Sequence, residues 1–365
     1  MIPVYKPYFP DGALRYAHDA LDSTWVSSKG IYLQKVRDVL SALWNTDYII
    51  LTNSGTSANH LMAIATKAKY PKRSLVIAPN NVYVAAWNPF LFEDYTLEYH
   101  DANIETWNMD MGGIKYDNNS ILLVVPNLGN IINVPDILAE NPNAIILEDN
   151  CEGFGGKYNG FPSGTSSEAF TLSFFGNKNI TSGEGGAFVT YDKDMYEEAF
   201  LYWGQGMSSN SNVRFVHNSI GHNYRMTNVE AGILLGQLEL ADEILELKEK
   251  VFYNYASEFF DLEGVYLQVP EKGTEHSNWM FGIRVDGSDF QSAKQFFSRS
   301  GIEVRPMFYP VTSHGHLKEV QCDVKVATKL AQECIVLPSY PEVTKEDQEY
   351  IIERVKAYVR QLKIL

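Results

Sequence analysis

Three short segments carry residues whose types and order could do chemistry. The first, Thr52-Asn53-Ser54-Gly55-Thr56-Ser57-Ala58, follows an apolar run and opens a helical pattern. Small and hydroxyl-bearing residues at a helix start leave backbone N–H groups for an anion, most often a phosphate. The second, Glu148-Asp149-Asn150-Cys151-Glu152, stands at the mouth of the buried run Ala144–Leu147. An acid there is costly without a positive partner. The third runs from Thr171 through Ser173-Phe174-Phe175-Gly176-Asn177-Lys178 to Gly183-Glu184-Gly185-Gly186. It holds a lone lysine among apolar and small residues just past a strand. Desolvation lowers an amine's pKa and opens it to Schiff-base chemistry. Singly, each segment has an ordinary structural explanation: a capped helix start with a glycine turn, a capping or salt-bridged acid, a surface lysine.

Their conjunction is more telling than any one of them. An anion cradle, then a strand-end acid, then a lysine is the order that pyridoxal phosphate chemistry needs. The cradle supplies donors for the phosphate, the acid holds the pyridine nitrogen protonated, and the lysine supplies an amine for the aldehyde.

Elements of two textures must position these residues. From about 33 to 205, apolar runs at Asp47–Leu51, Ser74–Pro79, Ile121–Pro126 and Ala144–Glu148 alternate with helical patterns such as Gly55–Ala68 and Val134–Glu140. That alternation predicts a parallel sheet covered on both faces, with ligands beyond the carboxyl ends of the strands. A single long helix is expected over 226–262. After it, strands at Trp279–Val285 and Ile302–Arg305 and helices at Phe290–Ser298 and Asp347–Leu362 predict a smaller α+β unit. The expected division is a large domain over 1–240 and a small one over 241–365.

Composition narrows the function classes. The 365 residues carry 30 basic and 45 acidic side chains, a net charge of -15, with no basic run, so nucleic-acid binding is not expected. Three cysteines without a CxxC spacing argue for a reducing compartment and against a cysteine metal site. His314 and His316 flank one glycine without further ligands nearby, so no metal is expected. Met1–Pro7 shows no apolar leader, and no stretch approaches about 18 consecutive apolar residues. The expectation is a cytoplasmic protein with no membrane partner. Gly153-Phe154-Gly155-Gly156-Lys157 lacks both the dinucleotide and the Walker spacing, so a nicotinamide oxidoreductase is not favoured.

The sequence resembles the DegT/DnrJ/StrS sugar aminotransferases. The resemblance rests on Asn53–Ala58, Glu148-Asp149, Ser173 to Lys178, Gly183 to Gly186 and Asn223-Tyr224-Arg225-Met226. Further matches are Trp25 to Gly30 and Arg305-Pro306-Met307-Phe308-Tyr309-Pro310. It implies an α/β architecture of pyridoxal-phosphate fold type I, like aspartate aminotransferase, with a mostly parallel sheet and a smaller C-terminal domain. It implies that Lys178 bonds the cofactor and that Asp149 pairs with the pyridinium nitrogen. Tyr83 would lie over the ring, and Gly55, Thr56, Ser57 and Ser173 would hold the phosphate. Asn223 would reach the phosphate from the neighbouring subunit of a homodimer. Glu152 stands where many members carry Gln or His, and Phe175 where they often have His. Both look like the 4-amino-sugar, perosamine-synthase-like subgroup. The implied reaction moves an amino group from L-glutamate to C-4 of a nucleotide-linked 4-keto-6-deoxyhexose, with Arg305 and Tyr309 as substrate contacts. The alternatives are a C-3 keto-sugar aminotransferase, a sugar dehydratase on the same fold, in which His replaces the lysine, and a non-catalytic regulator. Val311–Leu317 departs from the family's usual sequence.

Overall fold

The computed structural model describes residues 1–115, 119–207 and 215–363. Its main sheet has seven strands: β1 (Ile49–Thr52), β2 (Leu75–Pro79), β3 (Thr96–His100), β4 (Ser120–Val124), β5 (Ile146–Asp149), β6 (Ala169–Ser173) and β7 (Gly186–Thr190). Their order is β1-β7-β6-β5-β4-β2-β3. Neighbours from β6 to β3 pair in parallel, and β7 runs antiparallel to both β1 and β6. Every strand except β7 therefore points the same way, and Thr52, Asp149 and Ser173 end at one edge. The link from β6 to β7 turns back at that edge, which is how Lys178 comes to stand over it.

The strands are near-continuous apolar runs because both faces are covered. Side-chain alternation sorts them. Ile50, Val76, Ile121, Leu123, Leu147 and Ala169 pack with the helix Gly55–Lys69 on one face. Ile49, Leu51, Phe170 and Leu172 pack with helices Ile31–Trp44 and Asn228–Leu238 on the other. Because Leu147 faces the helix Gly55–Lys69, so does Asp149, whereas Glu148 turns to the opposite side. By the same parity Thr171 and Ser173 face that helix.

A second sheet of three antiparallel strands, Val265–Leu267, Phe281–Val285 and Cys334–Leu337, packs on helices Ala241–Phe259, Phe290–Arg299 and Lys345–Leu362. The N-terminal segment joins this layer: Ile2 bridges Ile302, and the Val4 N–H donates to Glu303 at 3.0 Å.

Two expected elements differ. The helix expected over 226–262 is two, Asn228–Leu238 and Ala241–Phe259, broken where Leu240 turns to φ -115°, ψ 22°. No Gly or Pro marks the break. The first helix is buried beside Asp11–Asp22 and the second is amphipathic over the small sheet, so the packing partner changes at the junction. Ile302–Arg305 is not a ladder strand: Ile302 and Arg305 make isolated bridges, to Ile2 and Val336, on different partners. The remaining expected strands and helices are present with ends displaced by one or two residues, as at Phe281–Val285 and Lys345–Leu362. Among the described residues no helix is long and apolar enough to cross a membrane.

Candidate active site

At the shared edge lies a cavity of about 470 Å³. One wall is the start of helix Gly55–Lys69. Ser54 caps it, its hydroxyl accepting the Ser57 N–H at 3.1 Å, and the Ala58 N–H closes on the Ser54 carbonyl. The N–H groups of Gly55 and Thr56 are left at the positive end of the helix, and both residues line the cavity. A Cβ on Gly55 would stand 2.9 Å from both Cys151 Sγ and Ser173 Cβ, so only glycine brings this backbone so close to Ser173. Ser57 does not line the cavity. Its hydroxyl donates to Asn53 at 2.7 Å, and its amide serves the cap, so it shapes the turn from behind.

Asp149 is buried at the end of β5 and takes neutral donors. Asn59 Nδ2 donates to it at 2.8 Å, and the Cys151 N–H at 3.3 Å. Asn59 is fixed in turn by the Thr171 hydroxyl, which donates to its Oδ1 at 2.6 Å. Asn59 and Thr171 were not singled out in the sequence, although both left a trace. Asn59 lies one helical turn beyond Gly55 on a face otherwise apolar, and Thr171 alternates with Ser173 along β6.

Glu148 and Glu152 are both buried. On the far face, Glu148 meets Tyr158 and the Gly164 N–H, and burial pushes its carboxyl up to about 7. Glu152 lines the cavity and accepts the Leu128 N–H at 2.8 Å. Burial pushes it up to about 7 as well; Lys178 pulls it down and Asp149 raises it. The folded-state pKa thus lies above the unfolded one, so folding favours the protonated form. The penalty is absent below about pH 4.5 and grows as pH rises through 7, approaching roughly 3 kcal/mol when Glu152 is ionised. Glu152→Gln should therefore stabilise the apoprotein progressively from pH 5 to pH 8. Melting temperatures of both apoproteins across that range check it; a gap that stays constant with pH contradicts it.

Lys178 is half-buried and lines the cavity, and among the described residues it makes no ion pair. Its Nζ lies 3.9 Å from the centre of the Trp279 ring, and its carbonyl accepts the Tyr5 hydroxyl at 2.7 Å. The Trp279 indole N–H donates to the Asn177 carbonyl at 2.8 Å. No periodicity or spacing could link Trp279 or Tyr5 to Lys178, because they belong to the other sheet's layer.

Of the remaining expected site residues, Tyr83 lines the rim, 62% exposed, with its ring 6.2 Å from that of Phe308. Arg305 also lines it and lies 3.6 Å from Glu303. Tyr309 is exposed and outside the cavity lining, whereas its neighbour Phe308 lines it. Asn223 is exposed, bridges Gly204 and does not line this chain's cavity.

These residues fit pyridoxal phosphate. A cradle only glycine can form, beside the Ser173 hydroxyl, suits a phosphate. Asp149, buried and bonded to neutral donors, has the charge for a protonated ring nitrogen. Lys178 is an amine on the same cavity.

The family model of the DegT/DnrJ/EryC1/StrS aminotransferases matches residues 11–356. The chain is 33% identical over 363 residues to the GDP-perosamine synthase of Escherichia coli O157:H7, covering 98% of both chains. It is 30% identical to the GDP-perosamine synthase of Caulobacter vibrioides, covering 100% of this chain and 98% of that one. Its fold matches the Helicobacter pylori aminotransferase involved in the biosynthesis of pseudoaminic acid, with a TM-score of 0.90, 21% identity and coverage of 98% and 99%. The cavity at the sheet edge and a family match that runs through all its walls lead to one conclusion: this chain belongs to the DegT/DnrJ/EryC1/StrS aminotransferase family.

Proposed function

We propose that this protein is a pyridoxal-phosphate-dependent aminotransferase that carries the amino group of L-glutamate to C-4 of a nucleotide-linked 4-keto-6-deoxyhexose. The observation that carries this reading is the end-to-end similarity to GDP-perosamine synthases in a chain with a cavity that unites Lys178, Asp149 and Glu152. The same similarity favours guanosine diphosphate as the nucleotide. A dehydratase is disfavoured by the lysine at 178, where those relatives carry His. A silent regulator is disfavoured by Lys178, Asp149 and Ser173 standing together. Three free cysteines are in keeping with a cytoplasmic enzyme.

When bound, pyridoxal phosphate supplies an aldehyde that takes up the amino group and a ring that accepts the electron pair released at the donor carbon. The N–H groups of Gly55 and Thr56 and the Ser173 hydroxyl would hold its phosphate. Asp149, oriented by Asn59, would hold a proton on the ring nitrogen. Lys178 Nζ takes the proton from the α-carbon of glutamate and delivers it on the other side of the transfer; on the sugar ketone it runs the same path in reverse. Tyr83, exposed on the rim, would lie against the ring. Arg305, at the mouth, meets diphosphate oxygens in competition with Glu303.

Ketone position is a matter of geometry, since the reacting carbon must come within about 3–3.5 Å of the amine. Matched 3-keto and 4-keto nucleotide sugars bearing guanosine, thymidine or uridine diphosphate, offered with glutamate, should give a 4-amino product, identified by NMR. Turnover of 3-keto substrates alone overturns the C-4 assignment.

Asn223 supports a homodimer with shared sites, because it is exposed and does not line its own chain's cavity. Hybrids of Lys178→Ala and Asn223→Ala chains would each contain one site with both native residues. After subunit exchange, activity should rise above the sum of the parents, toward about one quarter of wild type. No rise, with exchange demonstrated by mass, assigns Asn223 to its own subunit.

A further inference from the structure

A second lysine has none of the features of a surface cation. Lys248, on helix Ala241–Phe259, is fully buried, and among the described residues no carboxylate pairs with it. Burial pushes its pKa well down. A neutral amine has two N–H donors, and two backbone carbonyls receive them: that of Trp279 at 2.8 Å and that of Ser339. The rings of Tyr5 and Phe252 cover its other sides, 5.3 and 5.4 Å away.

The residues beside Lys248 are the ones that hold Lys178. Trp279, whose carbonyl Lys248 binds, lays its ring against Lys178 Nζ and its N–H on the Asn177 carbonyl. Tyr5, whose ring lies beside Lys248, donates its hydroxyl to the Lys178 carbonyl. The adjoining loop is tied down as well, with Asn179 Nδ2 donating to the Ser277 carbonyl at 2.6 Å. Lys178 is thus gripped at its backbone and at its amine by residues that meet at one buried amine of the small-domain layer. A lysine stem has many rotamers, and proton transfer needs the amine in one place.

We infer that Lys248 is a positioning residue for the amino transfer: through Trp279 and Tyr5 it fixes where the Lys178 amine stands in the cavity. The inference rests on Lys178 being the reacting lysine. Its test, however, reads the placement of Lys178 without turnover. Apoprotein is acylated with limiting acetic anhydride, and the rate at the Lys178 peptide is measured by mass against exposed Lys345 as internal reference. Lys248→Met and Trp279→Leu should each uncover the amine and speed its acylation about two- to fivefold, the scale of a cation–ring contact. The double variant should match either single one. Lys248→Gln, which keeps two N–H donors, should return the rate toward wild type. In the holoenzyme, Lys248→Met should lower kcat about tenfold or more with KM for glutamate little changed.

Unchanged acylation of Lys178 in folded Lys248→Met, or single effects that add in full, overturns the inference. Where Lys248→Met does not fold, Trp279→Leu and Tyr5→Phe are read in the same way, and unchanged rates at Lys178 in both overturn it. Should borohydride labelling place the cofactor on another lysine, the functional reading fails, while the acylation results still report on the scaffold.

Discussion

Lys178→Ala should abolish amino transfer, lowering turnover by about 10⁴-fold or more, while the fold and the cavity persist. Among the described residues Lys178 is the one lysine on the cavity, and its side chain makes a ring contact but no ion pair, so truncation to alanine breaks no direct hydrogen-bonded pair. Borohydride reduction of the wild-type holoenzyme should fix the cofactor on the peptide containing Lys178. The nearest upstream lysine, Lys157, pairs with Glu275 at 3.1 Å on a hairpin that does not line this cavity. Cofactor recovered on the Lys157 peptide would falsify the assignment, as would substantial turnover by Lys178→Ala.

Asp149→Asn should retain bound cofactor and slow the proton-transfer step by about 10²-fold or more, the cost of removing a preorganised charge partner. The shape of the side chain is kept, and its carbonyl oxygen can still accept from Asn59 Nδ2, now 2.8 Å from the carboxylate. The amide then offers an N–H where the carboxylate accepted one, so the ring nitrogen is no longer held protonated. Deuterium on the α-carbon of glutamate should give a larger isotope effect in the variant than in wild type. Turnover close to wild type, with cofactor bound, contradicts the role. Asn59→Leu is expected to act in the same direction but more weakly, through the orientation of Asp149 alone.

The features readable along the chain were local. A glycine-started helix after a strand, an acid at a strand end and a lysine in the following turn are each set by short-range rules. Because six of the seven strands run one way, such strand-end residues meet at one edge. That order was legible, as were the strands and helices whose burial pattern repeats every two or about 3.6 residues. The tertiary structure decided the remainder. The break at Leu240 follows from a change of packing partner without any breaker residue, and the segment Ile302–Arg305 has no single strand to pair with. Ser57 was drawn into the helix cap and Tyr309 stayed outside, although both share a motif with residues that line the cavity. The partners of Asp149, the neutral tendency of Glu152 and the contact of Trp279 with Lys178 depend on which distant surfaces are buried together. Desolvation and ring contact act through space and leave no period along the chain, so only the packed molecule could set them.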